Sequence, residues 1–298
     1  MKNISAGLIF GLIFSVVSGT TALLSPPAVA KDMTTQFRNL TVNANFIEAE
    51  DKTKPFYLIL HGTWAWHGME LPSSLQALLE EESFGSLAFT LSLGQNNRKG
   101  FFNCESTITS QHQNAFNEIH HWYKFLTDRG YKNIVLVGHS RGGSQVAGYV
   151  TAFPADKISQ LITIAPLVWI AANETEKYKK AYGEKLQSLV DLAKSNDTKL
   201  MKAVDVLYCK KANIQPQSFL SYYSAQIEKN SPTLISKIGI PLRVYLGSND
   251  PLTTEFLADI KHRKIAGTVE IKVIDGADHY FRDFYIEEVV EDMLEHQL

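Results

Sequence analysis

Asn133-Ile134-Val135-Leu136-Val137-Gly138-His139-Ser140-Arg141-Gly142-Gly143-Ser144 is the stretch that decides the fold of this chain. Asn133–Val137 is a nearly continuous apolar run, as expected of a strand buried on both faces of a sheet. From Ser144 to Val150 the pattern continues as a helix. Between the two lies G-x-S-x-G, which in a strand–turn–helix setting reads as a nucleophile elbow, a strained turn that lifts its serine above the sheet edge. Strand and helix pack closely around such a turn, so the residues two before and two after the serine must lack bulk. Gly138 and Gly142 stand at those positions, and Ser140 is the candidate nucleophile. The bland alternative is a structural turn serine, and the partners that follow weigh against it.

A serine hydroxyl is a poor nucleophile at neutral pH. It needs a base, and the base needs an orienting acid. The run Leu242–Leu246 leads into Gly247-Ser248-Asn249-Asp250-Pro251, and Val269–Ile274 leads into Asp275-Gly276-Ala277-Asp278-His279-Tyr280. Ser140, Asp250 and His279 therefore follow one another in the order nucleophile, acid, base, each in a loop after a strand. Asp250 has a competing reading as the cap of a helix near Thr253. Of its rivals, Asp278 adjoins His279, where neighbouring side chains usually diverge, and Asp275 closes a strand end. His139 reads as packing beneath the nucleophile. A histidine base must be neutral, so activity is expected to rise with pH through roughly 6–7, around the ordinary histidine value of about 6.5.

Working outward, further strand signals stand at Ala44–Ala49, Phe56–Leu60, Ser86–Leu91 and Leu161–Ile164. Helical patterns lie between them. Ser73-Ser74-Leu75-Gln76 offers a capping box, Phe116, Ile119, Tyr123 and Leu126 recur before the stop Gly130, and Ile286, Val289, Val290, Met293 and Leu294 share one face. Alternating β and α elements predict an α/β protein with a mostly parallel sheet covered on both sides. The alternation breaks at about 168–236, which shows only amphipathic stretches around Glu174–Ala193, Lys199–Leu207 and Phe219–Lys229. That region reads as a helical insertion above the sheet.

The 298 residues are 45% hydrophobic and 20% charged, which excludes disorder and low complexity. Twenty-nine basic residues against 31 acidic leave a formal charge of -2, so nothing marks a nucleic-acid binder. Two cysteines are too few for a disulfide scaffold or a four-thiolate zinc site. His120 and His121 lie on a helix, where neighbours point about 100° apart, and no H-E-x-x-H signature occurs, so no metal is expected. At the N-terminus Lys2, the apolar run Ala6–Val17 and Ala28-Val29-Ala30 follow the order of a signal peptide over residues 1–30, cleaved after Ala30. The mature domain is then 31–298, secreted or periplasmic, with no membrane span kept after cleavage. A retained membrane anchor is the alternative.

From His61-Gly62-Thr63 through the elbow to the Asp250 and His279 loops, the sequence resembles the α/β-hydrolase superfamily. The resemblance implies an eight-stranded, mostly parallel sheet with a lid inserted after the sixth strand, where residues 168–236 lie. It implies Ser140 as nucleophile, His279 as general base and Asp250 as its orienter. The oxyanion hole needs two backbone N–H groups; Arg141 supplies one and, by family position, Thr63 the other. Thr90-Leu91-Ser92-Leu93-Gly94 with the later Cys104 also resembles a little-characterised group of secreted bacterial hydrolases. The reading is a secreted serine hydrolase acting through an acyl-enzyme on a small-molecule acyl substrate, a carboxylesterase, with no cofactor. Thioesterase, amidase, C–C hydrolase or acyltransferase chemistry stays open, as does a silent binding protein on the same fold, and the oligomeric state is unread.

Trp64, Trp66, His67 and Trp169 are expected near the mouth as substrate-binding residues, with Met69, Phe101 and Phe102 in the same loops. Each taken alone reads equally as packing, and His61 shares a substrate-contact role with His67 as an alternative. An oxidising compartment favours pairing of Cys104 with Cys209, which would tie the insertion to the mouth loop. Two unpaired thiols, with Cys209 buried in the insertion, are the other reading.

Overall fold

Runs that are apolar at most positions become the central strands. The computed structural model describes residues 31–153, 155–183, 185–195 and 199–295; the expected signal segment at 1–30 lies outside them. The main sheet contains β1 (Lys31–Phe37), β2 (Leu40–Ile47), β3 (Phe56–Leu60), β4 (Ser86–Thr90), β5 (Ile134–His139), β6 (Ile158–Ile164), β9 (Leu242–Gly247) and β10 (Val269–Ile274). Their order across the sheet is β1-β2-β4-β3-β5-β6-β9-β10, with β4 to β10 parallel and β1–β2 forming an antiparallel edge. Every residue of β3, β4 and β5 is buried. Alternate residues serve opposite faces: Phe56, Leu58 and Leu60 join one core cluster, Tyr57 and Ile59 the other.

Helices cover both faces. On one side lie α2 (Asn114–Asp128) and α3 (Arg141–Ala152), which contribute Ile119, Trp122 and Val146. On the other lie α1 (Glu70–Glu81) and α9 (Phe284–Glu295), which contribute Leu75, Leu79, Val289 and Met293. From β3 the chain steps to β4 on one side, and it returns to β5 on the other. The carboxyl ends of β3 and β5 thus flank a topological switch point, where a crevice opens in parallel sheets. Leu60 pairs with Gly138 there, which sets the loop after β3 beside the elbow after β5.

Three elements differ from the sequence pattern. Strand β1 carries no apolar alternation because it is an edge strand with mostly exposed or half-buried side chains. The capping box is not used: α1 starts at Glu70, and the Ser73 hydroxyl donates back to the Met69 and Glu70 carbonyls from inside the first turn. The segment between β6 and β9 holds α4 (Ala171–Tyr182), α5 (Leu186–Ser195), α6 (Pro216–Tyr223) and α7 (Ser231–Ile235), but also the hairpin β7 (Met201–Val206) and β8 (Cys209–Ile214). The expectation of helix over Lys199–Leu207 is therefore corrected. Ala203 (φ 54) and Lys211 (φ 51) take left-handed backbone where the pairing register shifts, so buried residues recur three apart, at Met201 and Val204 and at Cys209 and Ala212. Bulged strands imitate a helical spacing in this way. Among the described residues, no helix is long and apolar enough to cross a membrane.

Candidate active site

Ser140 adopts φ 53, ψ -121, the left-handed side of backbone space that non-glycine residues rarely occupy. The turn is held from both sides: Ser140 N–H donates to Ile164 O (2.9 Å), and Ser140 O accepts from Gly143 N–H and Leu167 N–H (both 3.0 Å). The glycines are required by contact with main chain. A Cβ on Gly142 would sit 2.3 Å from His61 O, and one on Gly138 would sit 2.5 Å from Gly142 O. Gly142→Ala is therefore expected to push the loop after β3 away from the elbow, at a cost of roughly 1–3 kcal/mol, or several degrees of Tm, together with a loss of activity. Thermal unfolding checks it; an unchanged Tm would show that the close approach is not required.

The loops after β5, β9 and β10 bring Ser140, Asp250 and His279 into one hydrogen-bonded chain. His279 Nε2 lies 2.9 Å from Ser140 Oγ, and His279 Nδ1 lies 2.6 Å from Asp250 Oδ2. Asp250 also caps α8 (Pro251–Ile260), its Oδ1 accepting Leu252 N–H at 2.9 Å. The bond to His279 and the helix cap are thus made by two oxygens of one carboxylate. Burial opposes ionisation of Asp250, but the bonds from His279 and Leu252 outweigh it and hold the carboxyl below its ordinary value. Asp278 instead accepts Tyr280 N–H (2.8 Å), and Asp275 accepts the Ser248 hydroxyl (3.1 Å).

His139 lies beneath the base: its Nε2–H donates to His279 O at 2.9 Å. Burial and the neighbouring His279 push its pKa down to about 4, which keeps it a neutral strut. His61 is buried too. Its Nε2 accepts Leu91 N–H (3.1 Å) and faces Arg98 Nη2 (3.4 Å), so the proton sits on Nδ1 and is donated to Gly62 O (2.8 Å). Burial and Arg98 hold its pKa well below the ordinary value.

Arg141 is the first residue of α3, so its N–H belongs to the first turn, whose amides have no intrahelical partner and carry the positive end of the helix dipole. Its side chain turns the other way and donates through Nε to Thr63 Oγ1 at 3.2 Å, linking the two expected oxyanion residues. Sequence reasoning missed Arg98, a lone arginine in a polar loop. It is buried and donates to the carbonyls of Ala65 (2.6 Å), Gly100 (2.6 Å) and Leu91 (2.7 Å), fixing the loop that carries Thr63.

Around Ser140 opens a cavity of about 400 Å³, lined by Thr63, Met69, Leu71, Phe101, Tyr208, His279, Tyr280 and Arg282 among others. The four aromatic or histidine residues expected at the mouth do not line it. Trp64 is buried, with Nε1–H donating to Tyr222 OH (3.0 Å) and its ring against Phe102. His67 is engaged with Thr90, Nδ1 to Oγ1 at 2.7 Å, and Trp66 meets the His67 ring at 5.4 Å. Trp169 faces Lys229, whose Nζ lies 3.8 Å from its ring centroid, and borders a separate cleft against α7 and α8. Phe101 and Met69, expected in the same loops, do line the cavity, whereas Trp64 was drawn into packing and Tyr208, in the unanticipated hairpin, took a place in the wall. Cys104 and Cys209 are disulfide-bonded. Of the paired histidines, His120 meets Tyr149 OH at 3.1 Å, and no cluster of three metal-ligating side chains stands among the described residues.

Residues 57–292, from the second residue of β3 into α9, match the model of the Alpha/beta hydrolase family. The chain belongs to the alpha/beta hydrolase family. Solved structures of similar fold include Est1E from Butyrivibrio proteoclasticus with ferulic acid bound, at 18% identity and TM-score 0.62, covering 88% of this alpha/beta hydrolase and 96% of that chain. A soluble variant of monoglyceride lipase from Saccharomyces cerevisiae in complex with a substrate analog shares 17% identity at TM-score 0.63, with 90% and 95% covered. An esterase from Pyrococcus furiosus shares 17% at TM-score 0.57, with 90% and 91% covered. At such identities these likenesses concern the fold. None of the curated proteins matches the alpha/beta hydrolase described here in sequence.

Proposed function

We propose that this alpha/beta hydrolase is an exported serine hydrolase that cleaves carboxylic esters through an acyl-enzyme on Ser140. The observation that carries the reading is the continuous chain Ser140 Oγ–His279 Nε2 (2.9 Å) and His279 Nδ1–Asp250 Oδ2 (2.6 Å) at a cavity floor. His279 takes the hydroxyl proton as Ser140 attacks the ester carbonyl, and Asp250 stabilises the imidazolium that forms. The N–H groups of Thr63 and Arg141 receive the developing oxyanion. His279 then gives the proton to the departing alcohol, and water, deprotonated by the same histidine, releases the acid. The cavity's apolar wall and the esterase and lipase among proteins of like fold favour an ester over an amide.

A panel of nitrophenyl esters, thioesters and anilides tests this. The esters are expected to turn over fastest, with a burst of nitrophenol equal to the enzyme present. Anilides or thioesters ahead of every ester would move the substrate class. EDTA is expected to leave turnover unaltered; inactivation reversed by a divalent metal would overturn the serine mechanism.

A further inference from the structure

Three large aromatic side chains left exposed line the Ser140 cavity: Phe101, Tyr208 and Tyr280, at 57%, 44% and 47% exposure. They divide into two sides. The Tyr280 ring meets the His279 ring edge-on, with centroids 5.5 Å apart, and the Arg282 guanidinium lies 4.7 Å from the Tyr280 centroid, so both stand on the side of the group that protonates the departing alcohol. Tyr208 and Phe101 stand against the loop that carries Thr63. The Tyr208 hydroxyl is shared between Trp64 O (3.3 Å) and Phe102 O (3.2 Å), and its ring meets those of Trp64 and Phe101 edge-on, with centroids 5.5 and 6.4 Å away. In the tetrahedral intermediate the oxyanion turns to the amide donors and the alkoxide to His279. Besides the bond to Ser140 Oγ, the fourth substituent is the acyl chain, and the side of the cavity left open to it is that of Tyr208 and Phe101.

Tyr208 sits at the tip of the β7–β8 hairpin, which is tied down at its tip by Cys209 and Leu207 and at its base by Asn213 and Gln215. Cys209 is bonded to Cys104, with Cα atoms 5.3 Å apart. Ile108 N–H donates to Asn213 O (2.8 Å), Gln215 N–H donates to Ile108 O (2.9 Å), and Leu207 N–H donates to Tyr223 OH (2.8 Å). Such a wall is fixed rather than hinged.

Building on the acyl-enzyme reading, we propose that Tyr208, held in place by the Cys104–Cys209 bond, is the end wall of the acyl subsite, so that the substrates are esters of short or single-ring acids and long straight acyl chains are excluded. The test compares kcat/KM for nitrophenyl butyrate, benzoate and octanoate in the wild type, Tyr208→Ala, Tyr208→Phe and the Cys104→Ser/Cys209→Ser double variant, with the nitrophenol burst measured in each. The wild type is expected to favour butyrate and benzoate over octanoate. Tyr208→Ala should move the octanoate-to-butyrate ratio by at least about tenfold toward octanoate, the scale at which an apolar pocket discriminates chain length. Tyr208→Phe keeps the ring and should keep the wild-type ratio. The double Cys→Ser variant should move it in the direction of Tyr208→Ala. Equal ratios in Tyr208→Ala and the wild type would overturn the assignment. A wild type that hydrolyses esters while a fluorophosphonate leaves Ser140 unlabelled would instead remove the acyl-enzyme reading, and this inference with it.

Discussion

Ser140→Ala is expected to cut kcat on a nitrophenyl ester by about a million-fold while leaving Tm near that of the wild type, the scale seen when a nucleophile that acts as one unit with its base is removed. Alanine has the same backbone preferences as serine at φ 53, and the bonds holding the turn come from main chain, so the elbow survives the change. What disappears is the oxygen 2.9 Å from His279 Nε2. His279→Ala should be almost as damaging, because Ser140 then has no acceptor for its proton. The double variant should be little worse than either alone. Initial rates and the nitrophenol burst check this; activity within tenfold of the wild type in Ser140→Ala would place the nucleophile elsewhere.

Asp250→Asn should lower kcat by about 10⁴-fold, because an amide in place of the carboxylate favours the wrong imidazole tautomer and gives the imidazolium no counter-charge. Asparagine still caps a helix, so the loss would not arise from unravelling α8. Asp278→Asn is the matched control: that carboxylate bonds Tyr280 N–H and not His279, and its activity should stay near wild type. If the two outcomes exchanged places, Asp278 would be the orienter. The lowered pKa of Asp250 also has a sign for stability. The folded state binds this proton less readily than the unfolded chain does, so the stabilisation is present above the unfolded value of about 3.9 and is lost as pH falls through the lower folded value. The Tm difference between wild type and Asp250→Asn should therefore shrink in acid.

The elements that carry the site were legible because each imposes a demand that few sequences meet. Buried central strands favour apolar runs such as 56–60 and 134–137, and the elbow admits only Gly at 138 and 142, since backbone atoms occupy the space of a side chain there. Asp250 was readable from its place in the loop after Leu242–Leu246, and the competing reading of its carboxylate, helix cap, turned out compatible with the bond to His279. The pocket wall was legible only in part: Met69 and Phe101 line it as expected, and the tryptophans do not. Whether an aromatic lines a cavity or packs a loop depends on where the backbone sends it, and Trp64 went inward to Tyr222 while Tyr208 arrived from a hairpin whose bulges disguised it as helix. Arg98 gave no signal because its work is done on backbone carbonyls, which have no sequence signature. Arg141 was expected for its backbone N–H, and nothing in the sequence pointed to its side chain donating to the Thr63 hydroxyl.

The central claim is that Ser140 is a nucleophile activated by His279. A fluorophosphonate probe tests it most directly, by mass spectrometry of the intact protein followed by peptide mapping. One adduct per chain is expected, on Ser140, absent from Ser140→Ala and strongly slowed in His279→Ala. An adduct mapped to another residue, or ester hydrolysis by a protein that the probe leaves unlabelled, would contradict it.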